Sequence, residues 1–186
     1  MDIERPGPQF TCPVTDDRSF SGTDLYYAVE TALIAPGIVS HEAAHMLACR
    51  VTGVGVVESS VLNPFGADAY LDHQPVRSFP ADLLIAVAPV LLNTTLAFAA
   101  FVLAPAAGTP LLSAPCYWLG VCFGLTAFPS VGDTETLFET AGTLPRPLRP
   151  VGYLLAAPVR AFTLVPGSAG VAGFALLLFL FGVTRP

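Results

Sequence analysis

Residues 83–132 read LLIAVAPVLLNTTLAFAAFVLAPAAGTPLLSAPCYWLGVCFGLTAFPSVG, 50 consecutive positions without a charge. Asp82 precedes the run and Asp133 closes it. One membrane-spanning helix needs about 20 apolar residues. The run therefore holds two spans and a turn. The turn signal is Pro105 to Pro110, PAAGTP, which predicts spans at 83–104 and 111–131. Upstream, residues 25–51 are mostly apolar but carry Glu30, His41, Glu42, His45 and Arg50. This segment reads as a helix entering the membrane, with a kink or local break at Pro36-Gly37. Residues 53–78 are rich in β-branched side chains and carry a turn signal at Asn63-Pro64-Phe65-Gly66. They predict a short hairpin or a pair of extended segments.

Downstream of Asp133, TETLFETAG reads as a brief interfacial helix. Pro145, Arg146, Pro147, Arg149 and Pro150 form a basic turn. Residues 151–165, with Pro158 and Arg160, suit either a span or an in-plane amphipathic helix. Residues 169–184 are the last clear span. The expected fold is an all-α polytopic membrane protein with four or five transmembrane helices and a short extended or hairpin segment after the first. Residues 1–24 form a polar tail in which Pro6, Pro8 and Pro13 oppose helix. Residues 25–186 form a single membrane-embedded domain.

Composition supports this. Of the 186 residues, 53% are hydrophobic and only 12% charged, against about 25% charged in average soluble domains. That excludes an ordinary soluble enzyme, a disordered chain and a nucleic-acid binder. The net charge of −6 separately opposes a phosphate-backbone partner. The eight basic residues are all Arg, which fits a GC-rich genome and, with the acidic balance, a salt-adapted prokaryote; the expected location is a prokaryotic cell membrane. The expected partners are the lipid bilayer and a membrane protein or peptide substrate. No basic region precedes an apolar core at the start, so no cleavable signal peptide is expected, and the first membrane helix directs targeting. Arg50 and Arg77 flank the first loop, and Arg146 and Arg149 lie in the third. Positive charge inside would place both loops in the cytoplasm and the N-terminus outside, with Arg5 and Arg18 opposing that orientation. Cys12, Cys49, Cys116 and Cys122 form no CxxC pair; those in apolar stretches read as buried thiols.

Chemistry concentrates at His41-Glu42-Ala43-Ala44-His45. On a helix, residues four apart are rotated by about 40° and separated by about 6 Å, so both imidazoles face one way. That suits two nitrogens at about 2.0–2.1 Å from a tetrahedral zinc. Glu42 stands beside the first and reaches the open position, where the metal lowers the pKa of water to about 7. A catalytic zinc needs a third protein ligand. The soluble metzincin extension is absent, since positions 48 and 51 hold Ala48 and Val51. The candidates are Asp133, His73, Glu30, Glu58, Glu135 and Cys49. Asp133 is preferred because it ends the uncharged run; its alternative is to N-cap a helix beginning at Thr134. His73 reads as a solvated or interfacial loop residue, and Cys49 as packing.

The chain resembles the site-2 protease group of intramembrane zinc metalloproteases, in a compact form without a PDZ domain. His41, Glu42 and His45 match the family's HExxH residue by residue. Ala88-Pro89-Val90-Leu91-Leu92-Asn93 corresponds to its Gly-Pro-x-x-Asn element, with Ala for Gly and one residue more. Thr126-Ala127-Phe128-Pro129-Ser130-Val131-Gly132-Asp133 corresponds to its Asn-x-x-Pro and Leu-Asp-Gly elements, with Thr for Asn and Gly before Asp. The similarity spans residues 25–135. It implies zinc held by His41, His45 and Asp133, with Glu42 as general base in hydrolysis of peptide bonds within or beside a membrane. A substrate could pair as an added strand with residues 54–62, where Val54, Val56 and Val57 favour extended structure. Two other readings are carried forward: a metal transporter, and a non-enzymatic membrane scaffold with a bound metal.

Overall fold

The computed structural model describes residues 22–60 and 70–184. Most of the polar N-terminal tail, Cys12 and the Asn63-Pro64-Phe65-Gly66 turn lie outside the described residues. The chain is mostly helical. Among the described residues its elements are α1 (Gly22–Thr52), β1 (Val56–Ser60), β2 (Tyr70–His73), α2 (Phe79–Ala106), α3 (Pro110–Leu125), α4 (Leu137–Thr143), α5 (Arg149–Thr163) and α6 (Ser168–Thr184), with a 3₁₀ turn at Gly132–Thr134. The strands form an antiparallel hairpin, with Val56 opposite His73 and Ser60 opposite Tyr70, and a bulge between Val56 and Glu58.

α1, α2 and α3 pack against one another, and α6 lies on α2 and α3. Ala97 and Phe101 of α2 meet Leu177 and Leu180 of α6. Phe79 and Ala86 of α2 meet Leu137 and Ala141 of α4 and Ala156 of α5. Ala48 and Cys49 of α1 pack on Ile85. Cys122 is also buried, as expected of an apolar thiol, whereas Cys116 is half-buried.

α1 runs unbroken through Pro36-Gly37, so the expected interruption is not a break. Neighbouring helices supply partners for carbonyls near the proline. The Leu33 carbonyl accepts from Trp118 Nε1 at 3.0 Å and Cys122 Sγ at 3.3 Å. The Gly37 carbonyl accepts from Asn93 Nδ2 at 3.2 Å. A Cβ at Gly37 would collide with the Cys122 carbonyl and the Thr126 hydroxyl. Gly37 thus sets how closely α1 approaches α3. Gly37→Val is expected to destabilise the protein by about 1–3 kcal/mol, the usual cost of overpacking. Thermal unfolding in detergent measures it, and a wild-type midpoint would show that α1 and α3 are free to separate.

Among the described residues, one helix, Phe79–Ala106, is long and apolar enough to cross a bilayer. α3 is apolar but ends at Leu125, short of the expected 131. Pro129 explains this: it has no N–H to continue the helix and disfavours helical backbone at Phe128. α5 and α6 reach the required length only together, across a bend of 94°. The bend includes Gly167 at a φ of +78°. α5 is about 22 Å long at about 1.5 Å per residue, shorter than a hydrocarbon core of about 30 Å.

The surface is rich in bare apolar side chains. Leu111 is 83% exposed, Leu154 73%, Val51 72% and Val171 72%. Meanwhile Glu42, His45, Asp82, Asn93, Thr134 and Thr140 are buried.

Candidate metal centre

α1 is the platform. His41 and His45 stand one turn apart on it, with ring centroids 4.9 Å apart and planes at 71°. Their Nε2 atoms lie 3.2 Å from each other. Asp133, carried by the 3₁₀ turn, closes the triangle: Oδ2 is 3.6 Å from His41 Nε2 and Oδ1 is 3.3 Å from His45 Nε2. Ligand atoms about 2.0–2.1 Å from a tetrahedral ion sit about 3.3 Å from one another. The three residues therefore form a group that could hold a metal ion.

The outer faces of the imidazoles decide their protonation. His41 Nδ1 lies 2.7 Å from the Thr126 carbonyl, and His45 Nδ1 lies 2.9 Å from the Ile85 carbonyl. A carbonyl oxygen only accepts, so both Nδ1 atoms carry the proton. Both Nε2 atoms of the neutral rings then present lone pairs to each other and to a carboxylate. Three electron-rich atoms at this spacing repel unless a positive charge joins them. A proton serves weakly; a divalent ion satisfies all three. A ligating His that donates its other N–H to a carbonyl is the usual arrangement around metals.

Asp133 reaches the group because its turn is braced from two sides. Asp82, 2% exposed, accepts from Thr136 Oγ1 at 2.9 Å and Thr140 Oγ1 at 2.7 Å, tying the segment after the turn to the start of α2. Arg160 of α5 donates to the Val131 carbonyl at 2.7 Å and to Thr134 Oγ1 at 3.2 Å. Thr134 and Thr163 share a hydrogen bond of 2.7 Å. Asp133 Oδ2 also accepts from the Ser130 amide at 2.6 Å. That bond points backward, so the carboxylate does not cap a following helix. Burial pushes the Asp133 carboxyl up, but the Ser130 amide, together with any second proton taken up at Nε2 of His41 or His45 when no metal is bound, outweighs it and holds it well below the usual carboxylate range.

Glu42 is 7% exposed. Its side chain lines a cavity of about 290 Å³ shared with His41, His45, Leu71, His73 and Asp133. It also lines a second, of about 240 Å³, with Ile38, His41, Thr126 and Phe128. It is thus a carboxylate facing open space beside the ligands. The other ligand candidates are elsewhere. Cys49 is buried in the core between α1 and α2. Glu30, Glu58 and Glu135 are exposed. His73 stands outside the ligand triangle yet on the wall of the same cavity.

Asn93 and Thr126, which stand in the resemblance's second and third elements, meet beside His41. Asn93 Nδ2 lies 3.1 Å from the Thr126 carbonyl and 3.0 Å from its hydroxyl. Asn93 Oδ1 is buried without a partner among the described residues. Asn93→Leu removes donors worth about 1 kcal/mol each, and also an unsatisfied acceptor that costs about as much. Its thermal midpoint is expected to stay near wild type, while zinc affinity falls about tenfold as the Thr126 carbonyl loses its anchor. Chelator competition measures it, and unchanged affinity would make Asn93 a packing residue only.

No protein-family model, curated protein or solved structure matches the chain.

Proposed function

We propose that the chain is an integral membrane zinc metalloprotease of the site-2 protease kind, cleaving peptide bonds of membrane-embedded substrates. The observation that carries this reading is the triangle of His41, His45 and Asp133 at 3.2–3.6 Å with a cavity-facing Glu42 beside it. The exposed apolar surface and buried polar interior support a polytopic membrane protein, because soluble chains rarely expose apolar patches on this scale. The bend between α5 and α6 supports α5 as an in-plane element that braces the Asp133 turn.

Zinc, when bound, would polarise a scissile carbonyl and lower the pKa of water. His41 and His45 would hold it through Nε2, and Asp133 through its carboxylate. Glu42 takes the proton from the attacking water and returns it to the leaving amine. The open side is the 290 Å³ cavity, which favours a catalytic over a closed structural site: among the described residues no fourth donor completes the group. β2 turns Leu71 and His73, two residues apart and so on one face, toward this cavity. A substrate strand would meet that face.

The test is metal analysis of detergent-purified protein together with cleavage of transmembrane peptides. One zinc per chain and chelator-sensitive cleavage are expected. Metal with no cleavage of any membrane peptide would favour the scaffold; zinc flux in liposomes would favour a transporter. His73→Ala is expected to raise KM about tenfold with zinc content unchanged, and His73→Gln to recover part of it. A matching loss of zinc would make His73 a ligand instead.

A further inference from the structure

The Ile85 carbonyl that orients His45 lies inside α2, where a carbonyl ordinarily accepts from the amide four residues on. Four residues on from Ile85 is Pro89. Proline has no N–H, and its ring presses on the carbonyl of residue i−4. The Ile85 oxygen is therefore deprived of its helical donor. His45 Nδ1 takes up that acceptor at 2.9 Å. Pro89 itself is fully buried, touching neither the imidazoles nor the carboxylate through any hydrogen bond.

We infer that Pro89 is a positioning residue for the metal centre: by withholding its amide hydrogen it leaves the Ile85 carbonyl free to fix the tautomer and ring angle of His45. This rests on the metal-binding part of the proposed function and is independent of the protease part. The cost explains why it needs a reason. A proline inside a helix loses about 3 kcal/mol relative to alanine, so a mid-helix proline whose only role is packing should be improved by replacement.

The experiment compares Pro89→Ala with Pro105→Ala in the full chain, purified in detergent. Pro105 is the other proline inside α2, remote in sequence from Ile85. Both variants are expected to unfold at or above the wild-type temperature. Only Pro89→Ala is expected to lose zinc affinity, by about 10–100-fold, the usual penalty for losing a group that orients a ligand. Chelator competition reads that loss. A second readout needs no metal: nitrogen-15 shifts of metal-free protein should show His45 protonated at Nδ1 in wild type and as a tautomer mixture in Pro89→Ala. Unchanged affinity and an unchanged tautomer in Pro89→Ala would overturn the inference. So would an affinity loss that Pro105→Ala shares, or one that follows a fall in unfolding temperature. If wild type binds no zinc, the metal reading fails, and the tautomer comparison still decides the role of Pro89.

Discussion

Glu42→Gln is expected to lower peptide cleavage by at least about a hundredfold while zinc content stays at one per chain. A positioned general acid–base contributes about 10²- to 10⁴-fold. Gln keeps the size and shape of Glu, so the cavity walls and the packing of α1 are preserved. It cannot take a proton. Glu42 has no place in the ligand triangle, so metal should be indifferent to the change. The measurement is zinc content and single-turnover cleavage of a transmembrane peptide by the same preparation. Retained cleavage would remove Glu42 from the chemistry, and with it the protease assignment. Lost cleavage together with lost zinc would show instead that Glu42 shapes the metal centre.

Asp133→Ala is expected to weaken zinc binding by more than about a hundredfold, because even groups that merely orient a ligand are worth 10–100-fold. Its carboxylate spans both imidazoles, at 3.6 and 3.3 Å. Removing it leaves two nitrogen lone pairs and no anion to balance a divalent charge. It also strips the Ser130 amide of its acceptor at 2.6 Å, so the turn itself should loosen. Asp133→Asn separates these effects. The amide oxygen can still accept from Ser130, but the charge is gone; zinc affinity should remain poor while the unfolding temperature recovers. Zinc retained at wild-type affinity in Asp133→Ala would remove Asp133 from the ligand set. The search would then pass to His73, which shares the cavity, rather than to Glu30 on the exposed face of α1.

The sequence showed the two histidines through their spacing, because a four-residue separation on a helix has one geometric outcome. It showed Asp133 through charge, the first charged residue after 50 uncharged ones. The strand at Val56–Ser60 was legible from β-branched residues, whereas Tyr70–His73 has none and was expected only as part of a hairpin or a pair of extended segments. Other parts carried no such signal. Ile85 and Thr126 serve through their carbonyls, which every residue possesses, so nothing in their identity marked them. Asp82 read only as the border of an apolar run; its partners Thr136 and Thr140 lie more than 50 positions away, and neither pattern nor spacing connects them. His73 read as a loop residue because facing a cavity depends on how the hairpin folds back, a tertiary event. Pro89 was visible as part of the resemblance, but its consequence appears only when a histidine is found at the carbonyl one turn before it.

Because main-chain oxygens hold the imidazoles, a systematic substitution map of this protein should look inverted around the candidate metal centre. Changing Ile85 to Leu or Val, or Thr126 to Ser, keeps the packing and leaves the oxygen in place, so the residues in direct contact with the ligands should tolerate conservative change. Gly37 and Pro89, which form no hydrogen bond to either histidine through a side chain, should score as sensitive, since they govern where those oxygens lie. A reader ranking positions by tolerance alone would draw the boundary of the site in the wrong place.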